Sequence, residues 1–171
     1  MIILMGIKHS GKTSLGKMLA KTLCVPFLDL DILLEEQYSK ERILNFRELY
    51  LKLGESGFRE LETKAIRSIS IHGKGILALG GGTIDNFDAM ETVRKADRLV
   101  FLDVKENILY QRIRKNGFPS FLEKSPEKLF HKLFLRRRPL YENIATIIIK
   151  ITDENTEEIL TILLKKLEEN Q

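Results

Sequence analysis

Four short apolar runs punctuate the chain: Ile2-Ile3-Leu4-Met5, Ile76-Leu77-Ala78-Leu79, Leu99-Val100-Phe101-Leu102 and Ile147-Ile148-Ile149. None alternates with polar residues, which is the pattern of strands buried on both faces. Stretches of helical spacing lie between them, so the chain predicts an α/β architecture, a parallel sheet covered by helices on both sides. Pro26-Phe27-Leu28-Asp29 predicts one more, shorter strand. Among the helices, Lys12 to Leu23 sets Leu15, Leu19 and Leu23 four residues apart. The stretch from Arg42 to Ile71 predicts two helices broken near Gly54 to Gly57. Ile159, Ile162, Leu163 and Leu167 form one stripe on a last helix, whose start is signalled by Asn155 followed by Glu157 and Glu158. Asn116-Gly117-Phe118-Pro119 through Pro126 interrupts two helical patterns and predicts a surface lid or loop.

With 171 residues and 43% hydrophobic content the chain fits one domain, residues 1–171, with a real core. No repeat, low-complexity segment or linker marks a boundary. The net charge of +4 suits nucleic acid, anionic lipid or a small anionic substrate equally. No basic stripe interleaved with aromatics favours the first of these, so no nucleic-acid partner is expected. Cys24 is the only cysteine; it rules out an internal disulfide and reads as inert packing at a helix end. The apolar start lacks a basic leader and no run approaches the roughly 18 residues of a membrane span, so the expectation is a soluble, cytoplasmic protein without a membrane partner.

Candidate chemistry begins at the end of the first run. Gly6-Ile7-Lys8-His9-Ser10-Gly11-Lys12-Thr13 is a glycine, four residues, then Gly-Lys-Thr. At average glycine usage a chance match in this length is on the order of one percent. A strand ends at Met5 and an amphipathic helix begins at Gly11 or Lys12, the context a phosphate loop requires. Backbone N–H groups and the helix macrodipole then face the phosphates of ATP. Lys12 would reach the β- and γ-phosphates, and the Thr13 hydroxyl would ligate Mg²⁺. Gly6, His9, Ser10, Gly11, Lys12, Thr13 and Ser14 form the expected nucleotide-binding set. His9 has no partner ligands for a metal role, and histidine tolerates positive φ better than most residues.

Four further clusters bear on the second substrate. Asp29 and Asp31, two apart after an apolar run, would leave the same face of an extended segment, one for the metal and one for an acceptor hydroxyl. They read equally as turn or cap residues. Arg59 lies in Gly57-Phe58-Arg59-Glu60-Leu61-Glu62, and Gly80-Gly81-Gly82 ends a strand so that backbone approaches a ligand closely. Arg136-Arg137-Arg138-Pro139-Leu140-Tyr141 is a late basic cluster. Taken singly, Arg59 reads as a solvated ion pair, the glycines as a tight turn and the arginines as a wet face.

In this order and spacing the clusters resemble the shikimate kinase family: a Walker loop, Asp-x-Asp, Phe-Arg-x-x-Glu, Gly-Gly-Gly and Arg-x-Pro-x-Tyr, over roughly Met1 to Tyr141. The resemblance implies a three-layer P-loop kinase fold, a five-stranded parallel sheet between helices, with a substrate-binding helical insertion at about 32–60 and a lid at about 112–126. It implies phosphorylation of the 3-hydroxyl of shikimate by ATP with Mg²⁺, in a monomer. By the same resemblance Asp29 helps hold Mg²⁺, and Asp31 orients or deprotonates the acceptor hydroxyl. Arg59 and Arg137 clamp the carboxylate, and Gly80, Gly81 and Gly82 line that pocket. Arg112 is the candidate for the adenine end. One departure stands out: Phe118 precedes the lid's Pro119 where the family usually has an arginine, and Arg114 is the candidate to supply the missing charge. The rival functions are another small-molecule kinase on this fold, or a homologue that binds nucleotide and transfers little.

Overall fold

The computed structural model describes residues 1–38, 46–117 and 125–169. All five expected strands form: β1 (Ile2–Met5), β2 (Phe27–Asp29), β3 (Ile76–Ala78), β4 (Arg98–Val104) and β5 (Ile147–Ile151). They make one parallel sheet in the order β2-β3-β1-β4-β5. β1 lies at the centre, with Ile3 opposite Leu77 on one side and Leu99 on the other. Ile3, Leu4, Met5, Leu77 and Val100 are buried, as a sheet covered on both faces demands.

Seven helices accompany the sheet among the described residues: α1 (Lys12–Leu23), α2 (Leu30–Tyr38), α3 (Phe46–Ser68), α4 (Phe87–Val93), α5 (Glu106–Asn116), α6 (Pro126–Ile144) and α7 (Thr156–Glu169). A 3₁₀ turn, Thr83–Asp85, precedes α4. α1 packs along α7 and against β3, α3 along α2 and α4, and α6 against β4 and α5. The stripe on α1 buries Leu15 and Leu19, while Leu23 at its end is 39% exposed. α7 buries Ile159, Leu163 and Leu167 and leaves Ile162 at the rim. Each fully buried side chain of this size contributes about 1.5–3 kcal/mol.

Helix ends follow the local chemistry. Asn155 Oδ1 accepts from the N–H groups of Glu157 and Glu158 at 2.9 and 3.1 Å, and Glu158 returns a carboxylate to Asn155 N–H at 2.8 Å. That reciprocal pair is a capping box. α6 opens on Pro126, where the missing N–H costs nothing. The break expected near Gly54 to Gly57 falls at Gly54, whose φ of 67° and ψ of 179° kink α3.

Two expectations are corrected. Asp31 does not lie on an extended segment with Asp29: β2 ends at Asp29, and Asp31 sits in the first turn of α2 with its N–H on Asp29 Oδ1 at 3.1 Å. Strand alternation therefore does not align the two carboxylates; a strand-to-helix turn does. Cys24 is exposed and left-handed (φ 51°) at the end of α1, so it terminates the helix and does not pack. The insertion at about 32–60 and the lid at about 112–126 fall partly outside the described residues, and Phe118 and Pro119 fall wholly outside them. Among the described residues no helix is long and apolar enough to cross a membrane.

Candidate active site

Loops leaving the carboxyl ends of β1, β2 and β3 converge, the usual location of a ligand in an open parallel sheet. The first is the phosphate loop. Gly6 has φ 151° and Gly11 φ 96°, both left-handed territory open to glycine, and His9 joins them at φ 66°. The turn so formed delivers the chain into α1 at Lys12. Lys12 Nζ folds over the loop and donates to Gly6 O at 2.9 Å, Ile7 O at 3.1 Å and Ser10 Oγ at 3.4 Å. The residue is only 8% exposed. Burial pushes its pKa down to about 8, while Asp31 and Asp29 hold it up against Lys8 and Arg137. A desolvated ammonium on neutral carbonyls has a strong incentive to meet an anion.

The junction of β2 and α2 supplies oxygen. Thr13 Oγ1 donates to Asp29 Oδ2 at 2.7 Å, which brings the hydroxyl of the phosphate loop to the carboxylate at the end of β2. Asp31 is partly accessible as a residue, but its carboxylate packs under Gly80. A Cβ at Gly80 would stand 2.7 Å from Asp31 Oδ1, and one at Gly81 would stand 2.6 Å from the Lys8 backbone nitrogen. Glycine is therefore the only residue that lets the end of β3 press on both the carboxylate and the phosphate loop. Burial raises the Asp31 pKa to about 6, helped by Asp29 and Glu62 and opposed by Lys12 and Lys8.

The arginines gather at the third glycine. A Cβ at Gly82 would lie 3.4 Å from Arg137 Nη2 and 3.8 Å from both Arg59 Nη1 and Nη2, so two guanidinium groups flank one point. Arg59 Nη1 donates to Glu62 Oε2 and Gly82 O, each at 3.0 Å. Arg137 donates to Gly81 O at 3.0 Å, and its Nε and Nη2 reach Asp85 Oδ2 at 3.0 and 2.7 Å. The Nε and Nη2 groups of Arg59 make no hydrogen bond among the described residues. Two partly satisfied forks flanking one glycine are suited to a planar carboxylate.

Further residues complete the site, and only some of them carry a signal in the sequence. Glu62, 2% exposed, accepts from Arg59, from Thr83 Oγ1 at 2.6 Å and from Asn86 Nδ2 at 2.8 Å. It follows Arg59 by three residues on a helix, the spacing of an ion pair, and is the glutamate of the Phe-Arg-x-x-Glu pattern. Asp85 pairs with Arg136 and Arg137 across more than 50 residues, which no local pattern announces. Arg138 forms a two-pronged pair with Asp103, at 2.9 and 2.8 Å, and meets Glu142 at 2.8 Å. The late basic cluster is thus three paired arginines, of which Arg137 is buried deepest and Arg136 stays largely exposed.

Arg112 Nη1 donates to His9 O at 3.1 Å, which seats the expected adenine-end arginine against the phosphate loop. His9 Nε2 is buried with no partner among the described residues; burial, then Lys8, Lys12 and Arg112, lower its pKa and keep the ring neutral. Ser14 is exposed in the first turn of α1, and Arg114 is exposed in the last turn of α5. No three His, Cys, Asp or Glu side chains converge among the described residues. Thr13 and Asp29 are nevertheless hard oxygen donors of the kind Mg²⁺ takes beside substrate phosphates, so the donor chemistry fits that ion. A cavity of about 590 Å³ bordered by Tyr110, Pro126 and His131 contains none of these residues and lies away from the chemistry.

Known proteins resemble this chain in sequence and fold. Residues 8–168 match the sequence model of the shikimate kinase family. Shikimate kinase of Phocaeicola vulgatus is 37% identical over 145 residues, covering 82% of this chain and 81% of that protein. Shikimate kinase of Thermodesulfovibrio yellowstonii is 31% identical over 168 residues, covering 98% and 94%. Among solved structures, Acinetobacter baumannii shikimate kinase in complex with shikimate superposes with a TM-score of 0.89 at 27% identity, covering 99% of this chain and 93% of that one. The structure from Bacteroides thetaiotaomicron gives 0.82 at 30% identity, covering 98% and 97%. This chain belongs to the shikimate kinase family.

Proposed function

We propose that this protein transfers the γ-phosphoryl group of ATP to the 3-hydroxyl of shikimate, giving shikimate 3-phosphate and ADP. The observation that carries the reading is the convergence of Arg59 and Arg137 on Gly82, two glycines along from the Asp31 carboxylate. A carboxylate reader thereby stands next to a proton acceptor that adjoins the phosphate loop. Family membership supports the same acceptor, and the Acinetobacter baumannii relative is described with shikimate bound.

In this reading the loop N–H groups and the N-terminus of α1 hold the β- and γ-phosphates, and Lys12 Nζ exchanges its loop carbonyls for phosphate oxygens. Thr13 and Asp29 would hold Mg²⁺, which supplies charge neutralisation at the β- and γ-phosphates. Arg59 and Arg137 fix the shikimate carboxylate and so aim the 3-hydroxyl. Asp31 accepts that hydroxyl's proton as its oxygen bonds to the γ-phosphorus and the bond from phosphorus to the β-bridging oxygen breaks. With a pKa near 6, Asp31 is ionised at neutral pH yet more basic than an ordinary aspartate. Arg114 on the last turn of α5 supplies cationic charge over the transferring group when the lid closes. Most of the rate comes from positioning and electrostatic stabilisation. The protein works as a cytoplasmic monomer.

The test is product identification after incubation with ATP, Mg²⁺ and shikimate. The reading expects one phosphorylated shikimate, with phosphorus coupled to the proton on carbon 3 in the NMR spectrum. Tight binding of both ligands with no product would instead favour a binding-only homologue.

A further inference from the structure

Between the phosphate loop and the acceptor glycines lies one buried phenol that the mechanism above does not use. Tyr141, 1% exposed on α6, donates to Gly81 O at 3.1 Å and to Gly6 O at 3.3 Å. A phenol has a single proton, so this is one donor shared between two carbonyls. Each carbonyl also serves a substrate-facing cation: Gly6 O takes Lys12 Nζ at 2.9 Å, and Gly81 O takes Arg137 Nη1 at 3.0 Å. The ring is fixed by stacking on Phe101, centroids 5.1 Å apart and 16° from parallel. Phe101 lies on β4 opposite Met5, the residue before the phosphate loop. Burial raises the phenol's pKa, which keeps its proton in place.

We propose that the Tyr141 hydroxyl is a positioning group that couples occupancy of the nucleotide cradle to the affinity of the acceptor pocket. The contacts run Lys12, Gly6, Tyr141, Gly81, Arg137. When phosphate draws Lys12 Nζ off Gly6 O, that carbonyl loses its strongest donor and takes a larger share of the phenol proton. Gly81 O then depends on Arg137 alone, which holds the guanidinium more firmly against the acceptor glycines. Coupling of this kind is reciprocal, so shikimate must tighten nucleotide binding by the same factor. The inference rests on the reading of Arg137 as part of the carboxylate clamp.

Because Lys12 and Arg137 remain as donors, Tyr141→Phe orphans neither carbonyl, and the fold is expected to survive it. The experiment titrates shikimate calorimetrically into the full protein, with and without saturating ADP and Mg²⁺, for the parent, Tyr141→Phe and Phe101→Leu. The parent is expected to bind shikimate about fivefold or more tightly with nucleotide present. In Tyr141→Phe the ratio falls to within about twofold of one, while shikimate affinity without nucleotide changes less than about threefold. Phe101→Leu loosens the same packing but keeps the hydroxyl; it lowers the melting temperature and retains the ratio. An unchanged ratio in Tyr141→Phe, an equal loss in Phe101→Leu, a parent without coupling, or a Tyr141→Phe chain that does not fold overturns the proposal. A parent that binds no shikimate at all overturns the functional reading with it, and that result is visible in the first titration.

Discussion

Asp31 concentrates the conflict between stability and function in one carboxylate. Its folded pKa of about 6 stands above the ordinary value of 3.8, so the folded state prefers the neutral acid. The stability this group contributes is therefore complete below about pH 3.8 and is lost as pH rises through about 6, at most about 3 kcal/mol. Asp31→Asn removes the buried charge. It is expected to raise the melting temperature at pH 7 by several degrees while lowering turnover at least about a hundredfold, with ATP affinity nearly unchanged. Calorimetric melting and steady-state kinetics on one preparation check both halves; a fall in nucleotide affinity in step with turnover assigns Asp31 to the metal site instead. The parent's rate should climb with pH through about 6, where Asp31 becomes an acceptor. In the free enzyme kcat/KM for ATP should decline above about 8, where Lys12 loses its proton. Lys12→Ala is expected to abolish transfer and leave the fold intact, since its Nζ bonds only to the loop it would leave.

At the scale of elements, the three glycines after β3 divide the work, and substitutions there separate the two substrates. Gly82→Ala places a methyl at 3.4 Å from Arg137 with ordinary backbone angles, so it should raise the KM for shikimate about tenfold and spare that for ATP. Gly81→Ala drives a methyl to 2.6 Å from the Lys8 nitrogen and must displace the phosphate loop, so ATP binding and stability should both suffer. Initial-rate kinetics with each substrate varied tell the two apart. Removing Glu62 as Glu62→Ala takes one acceptor from each of Arg59, Thr83 and Asn86 at once, and urea unfolding should report a loss of about 2–4 kcal/mol. Arg114→Ala is expected to lower turnover much more than it raises the KM for shikimate, and a silent variant in an active parent removes Arg114 from the lid's charge. The elements themselves were legible because four strands are built on a continuous apolar run and the principal helices on a stripe. Asp31 was misplaced because Asp29 caps a helix that already begins at Leu30, where alternation keeps the chain extended through Asp31. The partners of the arginines were invisible for a different reason: Asp85 and Asp103 meet Arg137 and Arg138 only after α6 folds back across β4 and the 3₁₀ turn.

Across the whole molecule, the central strand β1 carries the phosphate loop, while its neighbour β3 and, beyond it, the edge strand β2 bring Gly80 to Gly82 and the two aspartates to the same carboxyl end of the sheet. α3 and α6 each add one arginine there, so the proposed acceptor pocket is assembled from elements far apart in sequence around a phosphate loop built locally. The basic excess of the chain is then in part a charge set for small anions. The most direct measurement of this account is kcat/KM for shikimate and for its carboxamide analogue, by ADP release with ATP and Mg²⁺, in the parent and in Arg59→Ala and Arg137→Ala. The parent should prefer shikimate by about a hundredfold or more, and each variant should lose a few kcal/mol of that preference with the KM for ATP nearly unchanged. Equal use of the carboxamide by the parent, or a preference that survives both substitutions, would contradict the reading of this site as a carboxylate clamp beside a phosphoryl-transfer cradle.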